Sequence, residues 1–287
     1  MAVWSPRRVH GVLDLAFSAG PTGTSLRVAE QRPPLQVIRA FRQADGAALV
    51  HLHNISGGVL GGDQLALRVS VGPGATAQVT TPGATRLYRS RDAMATAVQE
   101  TEVVVAEGGL LEYVPDPLIP YAGARYRQET RITLAADAGL FWWETVAPGR
   151  EAHGEVFAYD DLAMTLDLTS GGRLIAAERV RLQPDVRPLT SSARMGIYRY
   201  FSTFYICRAG ISGARWLEIE EALREIAEAR SSHGVALWGV STLAADGVVV
   251  RALSVRGAEV TAGLTGFWQA AKVLLYGRAA ILPRKIY

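Results

Sequence analysis

The chain has 287 residues, 49% hydrophobic and 20% charged, which suits a protein with a large core and excludes a disordered one. The net charge of +3 comes with no basic run, so nucleic acid is not an expected partner. The one cysteine, Cys207, excludes an internal disulfide and a multi-cysteine metal site. No apolar stretch is long enough to span a bilayer and the N-terminal segment lacks a secretory core, so a cytoplasmic protein with no membrane partner is expected.

In chain order, Val9–Phe17 and Leu35–Phe41 carry the β-branched and aromatic residues of strands, with Pro33-Pro34 between them. Gln64–Val71 alternates apolar and polar residues up to the turn Gly72-Pro73-Gly74, and Ala75–Thr81 resumes the alternation. This unit recurs loosely. The last apolar residues before successive glycine-bearing turns are Val71, Val105, Leu134 and Leu168, spaced by 34, 29 and 34 positions. Each unit alone cannot bury its apolar side, whereas stacked neighbours can. The expected fold is therefore mainly β, a β-helix-like or solenoid winding of stacked strands, with an antiparallel sandwich as the plainer alternative. Further on, Tyr198–Cys207 reads as a buried strand. Ala214–Arg230 places Trp216, Ile219, Leu223, Ile226 and Arg230 at alternating helical spacings. Val235–Leu243 and Val248–Leu253 flank a hairpin signal at Ala245-Asp246-Gly247. Val260 to Leu275 then mark a second helix, with Gly277 placed to stop it. No composition shift marks a linker, so residues 1–287 read as one domain with two helices in its last third.

The cluster Gly57-Gly58-Val59-Leu60-Gly61-Gly62-Asp63-Gln64 has the glycine separation of a phosphate loop. Such a loop continues with Lys and Ser or Thr, and here Asp63 and Gln64 stand in those places. A carboxylate repels phosphate, and the segment runs into a strand. A sharp bend, with Asp63 capping it or lining a cavity, is expected, and GTP is not expected to bind. His51 and His53, two apart, share one strand face and could chelate a metal; a surface pair is the simpler reading. Carboxylates are plentiful, but no nucleophile elbow or zinc-protease motif is present, and Cys207 sits among apolar aromatics.

Two segments are unusual for simple packing. Thr80–Ser90 gathers Thr80, Thr81, Thr85, Tyr88 and Arg89. Pro115–Gln128 sets three prolines around Asp116, followed by arginines and an aromatic. Proline removes ladder donors, so this is a shaped edge or a rigid connector, and Pro115, Asp116, Pro117 and Tyr121 are docking candidates. The loop Gly149–Phe157 adds Arg150 and His153.

At these segments the chain resembles the urease accessory protein UreD family, also called UreH. The resemblance runs in order through Gly58–Asp63, Thr80–Ser90, Pro115–Gln128, Gly149–Phe157, Leu237–Leu243, Val249–Leu253 and Tyr276–Tyr287. It implies a non-enzyme scaffold with a β-helix-like winding. It also implies binding to the urease apoprotein, to UreF and, through UreF, to the GTPase UreG, in support of nickel insertion at a site that needs a carbamylated lysine. No tightly bound cofactor is implied, only transient nickel. Asp63, Thr80, Thr81, Glu144 and Glu155 are candidates to line a passage for a hydrated cation, since weak oxygen donors suit transit. Trp268, Tyr276, Arg278 and Tyr287, with Arg284 and Lys285, extend the candidate docking surface at the terminal segment. The competing class is a β-solenoid hydrolase or lyase acting on carbohydrate.

Overall fold

A computed structural model describes residues 9–89 and 95–283. Strands β1 (His10–Gly20) and β2 (Gly23–Arg32) form an antiparallel hairpin. Four short strands follow: β3 (Leu35–Gln36), β4 (Ala40–Arg42), β5 (Ala48–His51) and β6 (His53–Asn54). Next come β7 (Val59–Leu60), β8 (Gln64–Val71), β9 (Thr76–Thr80) and β10 (Thr85–Tyr88). The series continues through β11 (Ala97–Val105), β12 (Leu110–Tyr113), β13 (Leu118–Pro120), β14 (Arg125–Leu134) and β15 (Gly139–Val146). A short 3-10 turn, Glu151–His153, leads to β16 (Asp161–Ser170) and β17 (Arg173–Leu182). Last are β18 (Tyr200–Arg208), α1 (Gly213–Arg230), β19 (Ala236–Thr242), β20 (Gly247–Ser254) and α2 (Gly257–Tyr276). The chain is mainly β.

Three parallel ladders organise these strands. In the first sheet β1, β8, β11, β14 and β16 run parallel, flanked by the antiparallel edges β2 and β17. In the second, β5, β9, β12 and β15 run parallel, and β18, β20 and β19 extend it antiparallel. The third ladder is short: β7, β10 and β13, joined to β15 through Leu118 and Val146. The chain passes from the first sheet to the second at each of the first three punctuated turns, β8 to β9, β11 to β12 and β14 to β15. Val71 is in register with Val105, and Val105 with Leu134. The turns themselves stack, with Gly74 N donating to Glu107 O (3.0 Å) and Gly108 N to Ala136 O (3.1 Å). A Cβ on Gly109 would lie 2.9 Å from Ala106 O and 3.1 Å from Gly72 O, so that position needs glycine.

Three expectations differ from the structure. His51 and His53 do not share a strand face: His51 ends β5 and is buried, whereas His53 begins β6 in a separate two-stranded sheet, because the chain changes sheets at Leu52. The fourth repeat is not a crossing: Leu134 pairs with Ser170, not Leu168, and Gly171-Gly172 closes the β16–β17 hairpin within one sheet. Leu35–Phe41 is not one strand. Val37 turns inward, where its N–H donates to Gln31 Oε1, while Ile38 points to solvent, so β3 and β4 join different sheets.

The alternation of β8 and β14 sends Leu65, Leu67, Val69 and Ile132 inward, and the first apolar cluster fills the space between the two sheets around Leu13, Val79, Leu111 and Trp142. A second cluster joins the outer face of the second sheet to the helices. There α1 contributes Trp216, Ile219 and Leu223, and α2 contributes Leu264, Phe267 and Trp268. Ser212 caps α1 by accepting from Arg215 N, and Gly277, at φ 65°, ends α2. A third cluster, with Val59, Leu87, Tyr126 and Tyr159, backs the short ladder.

Candidate functional site

The short third ladder is where the distinctive segments meet. Glycine-rich β7, threonine-rich β10 and proline-rich β13 lie side by side, Leu87 in register with Val59 and with Pro120. Gly58 permits this. A Cβ there would sit 2.5 Å from the Tyr88 ring and 2.6 Å from Arg86 O, so only glycine lets the strands close up. The glycine cluster therefore bends and packs a backbone. Asp63 caps that bend, its Oδ2 accepting from Leu60 N at 2.9 Å, and burial raises its carboxyl above the usual range against this hydrogen bond.

On the surface of the ladder Tyr88 meets Tyr121 edge-on, ring centroids 4.9 Å apart, and the Arg150 guanidinium lies 4.4 Å over the Tyr121 ring. Arg150 is paired with Glu155, which also accepts from Ala122 N (3.2 Å). Arg150 holds the Glu155 carboxyl below the ordinary range through that hydrogen bond. His153 is exposed on the adjoining turn, and Leu60 is 44% exposed beside them. The proline segment is fastened beneath: Asp116 N donates to Thr81 Oγ1, Thr85 N to Pro117 O, and Trp143 Nε1 to Pro115 O, each at 2.9 Å. Thr80 donates to Val114 O at 2.7 Å. Tyr121, Arg150, His153 and Glu155 are thus brought onto one face.

A buried polar seam crosses the space between the sheets. Gln128 donates to Glu144 and accepts from Tyr126 OH (3.0 Å). Glu144 and Glu178 both line a cavity of about 20 Å³ with Thr165 and Thr203. Glu178, held by Tyr205, by Thr203 (3.3 Å) and by Arg251 (3.6 Å), also lines an open groove of about 480 Å³. Loss of hydration pushes the Glu144 carboxyl up to about 7, with the Glu178 charge adding and the Gln128 hydrogen bond opposing. Of the passage candidates, Glu144 lines this cavity and Thr81 lines another of about 60 Å³. Asp63, Thr80 and Glu155 are engaged in the local bonds above. Among the described residues no group of three or more His, Cys, Asp or Glu side chains could hold a metal ion.

Trp268 is fully buried and donates to Glu112 Oε1 at 3.0 Å, so it presents nothing to a partner. Tyr276 is half-buried beneath Arg208, with the guanidinium 4.8 Å from its ring. Arg278 is half-buried and pairs with Asp45 at 3.5 Å. Tyr287, Arg284 and Lys285 lie outside the described residues. One feature that sequence reading missed is Lys272. It is fully buried on α2 at 2.6 Å from Glu112, which also accepts from Gln78 (3.1 Å). Lys272 falls four residues after Trp268 on the apolar stripe, and that misplaced charge is the signal of a buried partner.

Residues 9–286 match the family described as UreD urease accessory protein. A UreD urease accessory protein from Herpetosiphon aurantiacus is 48% identical over 98% of this chain and 97% of the relative. Proteins of the same description from Pseudomonas aeruginosa and Cenarchaeum symbiosum are 33% and 34% identical, covering 96% and 93% of this chain and 94% and 93% of their own. The order of motifs on the short ladder and the near-complete coverage of these relatives agree, and the chain belongs to the UreD family of urease accessory proteins.

Proposed function

We propose that this chain is a non-catalytic scaffold of urease maturation. It binds the urease apoprotein and, with UreF and through it UreG, supports nickel insertion in the cytoplasm. The observation that carries this reading is the convergence of four of the seven family-like segments on one surface built from Tyr88, Tyr121, Arg150 and His153. Pairing of β10 with β13, the Arg150–Glu155 ion pair and the stacking of Arg150 on Tyr121 hold that surface before any partner arrives, so docking costs little ordering entropy. The successive crossings between sheets are read as coils of a short β-helix-like winding in a single domain, a stiff body that suits a platform. The Glu144–Glu178 seam is read as the part of that body which admits a hydrated cation in transit.

The test is activation of apo-urease in a reconstituted system with UreF, UreG, GTP, bicarbonate and nickel. Activation that needs this chain, and that falls when Tyr121→Ala and Arg150→Glu abolish co-purification of UreF or urease, supports the reading. Full activation without the chain, or turnover of a carbohydrate substrate by the chain alone, overturns it. For the passage, Glu144→Gln with Glu178→Gln should lower nickel delivery while leaving complex formation intact; unchanged delivery removes the seam from the route.

A further inference from the structure

The outer face of the second sheet is not covered evenly. Helix α2 packs on β18, β20 and β15 and reaches β12 where Lys272 meets Glu112, and the segment after it reaches β9, where Gln78 donates to Ile281 O at 2.9 Å. Beyond Ile281 the sheet continues to β5 and β4, and there two adjoining cavities of about 490 and 510 Å³ open. They share Arg39, Phe41 and His51 and so form one groove. Its floor carries Phe41, Leu49 and Ile281, with the Arg39 guanidinium 4.6 Å over the Phe41 ring, and Ile38 at its rim is 73% exposed. The ionisable groups lining it are Arg39, Arg42, His51 and His53; no carboxylate lines it among the described residues.

The groove lies along a sheet edge. Strand β4 ends the order of the second sheet and pairs only with β5 among the described residues. Gln43 N donates to Ala47 O at 2.9 Å, so Gln43 and Ala47 are a hydrogen-bonded pair. Antiparallel alternation then makes Phe41–Leu49 the next such pair and turns the backbone groups of Ala40 and Arg42 away from β5, toward the edge. An edge with outward donors and acceptors is a template for an added strand.

We propose that this groove docks an extended, acidic segment of a partner polypeptide. The segment adds as a strand to β4, sets alternate apolar side chains beside Phe41, and places its carboxylates toward Arg42 and toward Arg39 just before the strand. The charge complementarity picks the acidic partner, and the free edge picks the extended conformation. The inference rests on the scaffold reading only in taking the ligand to be a polypeptide.

The test uses the purified full chain without any urease component, so its outcome is independent of the activation assay. The probe is a short fluorescent peptide alternating glutamate with leucine or phenylalanine. Binding by anisotropy is expected. It should weaken about tenfold or more with lysine in place of glutamate, with N-methylation of alternate peptide amides, and in the variant Arg39→Glu/Arg42→Glu. Both arginines are exposed, so this variant should keep the native circular dichroism and melting temperature. Equal binding of the acidic and basic peptides overturns the proposal, as does indifference to N-methylation. Binding that appears only after deletion of residues 284–287 overturns it in favour of the chain's own terminus. A dimer in sedimentation that the double variant dissolves assigns the groove to a second copy instead.

Discussion

Single residues carry two separable costs here, one steric and one electrostatic. At Gly58 the added methyl of alanine would meet the Tyr88 ring and the backbone oxygen of Arg86, and the carbonyl cannot rotate away without breaking β10 from its neighbours. Gly58→Ala should destabilise the chain by about 2 kcal/mol in urea melts, whereas Gly57→Ala, which faces open space at φ 80°, should cost only about 1 kcal/mol. At Glu144 the cost is desolvation. Its carboxyl is raised from an ordinary 4.5 to about 7 in the folded state, so between these values the native chain holds a proton that the unfolded chain has released. The contribution of Glu144 to stability therefore falls as pH rises from about 4.5 through 7 and is level above that. Glu144→Gln should remove this slope. The variant should gain about 2–3 kcal/mol over the parent at pH 8 and nothing at pH 4.5, as read from denaturation midpoints at the two pH values.

The elements show what a single sequence can and cannot disclose. Period-two alternation located β8 to the residue, and the three–four spacing located both helices, because burial of one face dictates which positions are apolar. The same logic gave the glycine-turn spacing but not which turns cross between sheets. The run after Leu134 and the run after Leu168 look alike, yet one crosses and the other folds back, since partner choice depends on strands far away in sequence. Glu144 was legible only as one of five candidates to line a passage, with no partner indicated. Its meeting with Glu178 follows from strands of different sheets facing one cavity. Register also builds a pattern invisible along the chain. Across the solvent face of the first sheet Asp14 pairs with Arg68, Arg68 with Glu102, Glu102 with Arg131, and Arg131 with Asp167. Charges alternate in sign across five neighbouring strands, so a register slip in any strand sets unlike neighbours out of line. Glu102→Arg should place three like charges in a row and cost about 1 kcal/mol at low ionic strength. Added salt should erase most of that loss, which chemical denaturation at two salt concentrations would show.

At the scale of the whole molecule, a buried charge pair joins the helical layer to the second sheet. Lys272 of α2 and Glu112 of β12 are both fully excluded from water, and Gln78, Trp268 and the carbonyl of Ile281 complete the network. The network fixes where α2 and the segment after it sit, and so where their cover of the sheet stops short of β4. Removing Lys272 leaves Glu112 uncompensated in an apolar setting, and removing Glu112 leaves Lys272 only the longer contact to Asp45 at 3.9 Å, so in either case the penalty exceeds the attraction lost. Lys272→Met and Glu112→Gln singly should each cost about 3–5 kcal/mol, with α2 the first element to lose amide protection in hydrogen exchange. The double variant Lys272→Met/Glu112→Leu removes both charges but strands the donors of Gln78 and Trp268. It should therefore recover part of the loss and not all of it. Singles and double with equal, small effects would mean that the pair merely fills space, and that apolar packing of Phe267 and Trp268 alone holds the helices to the strands.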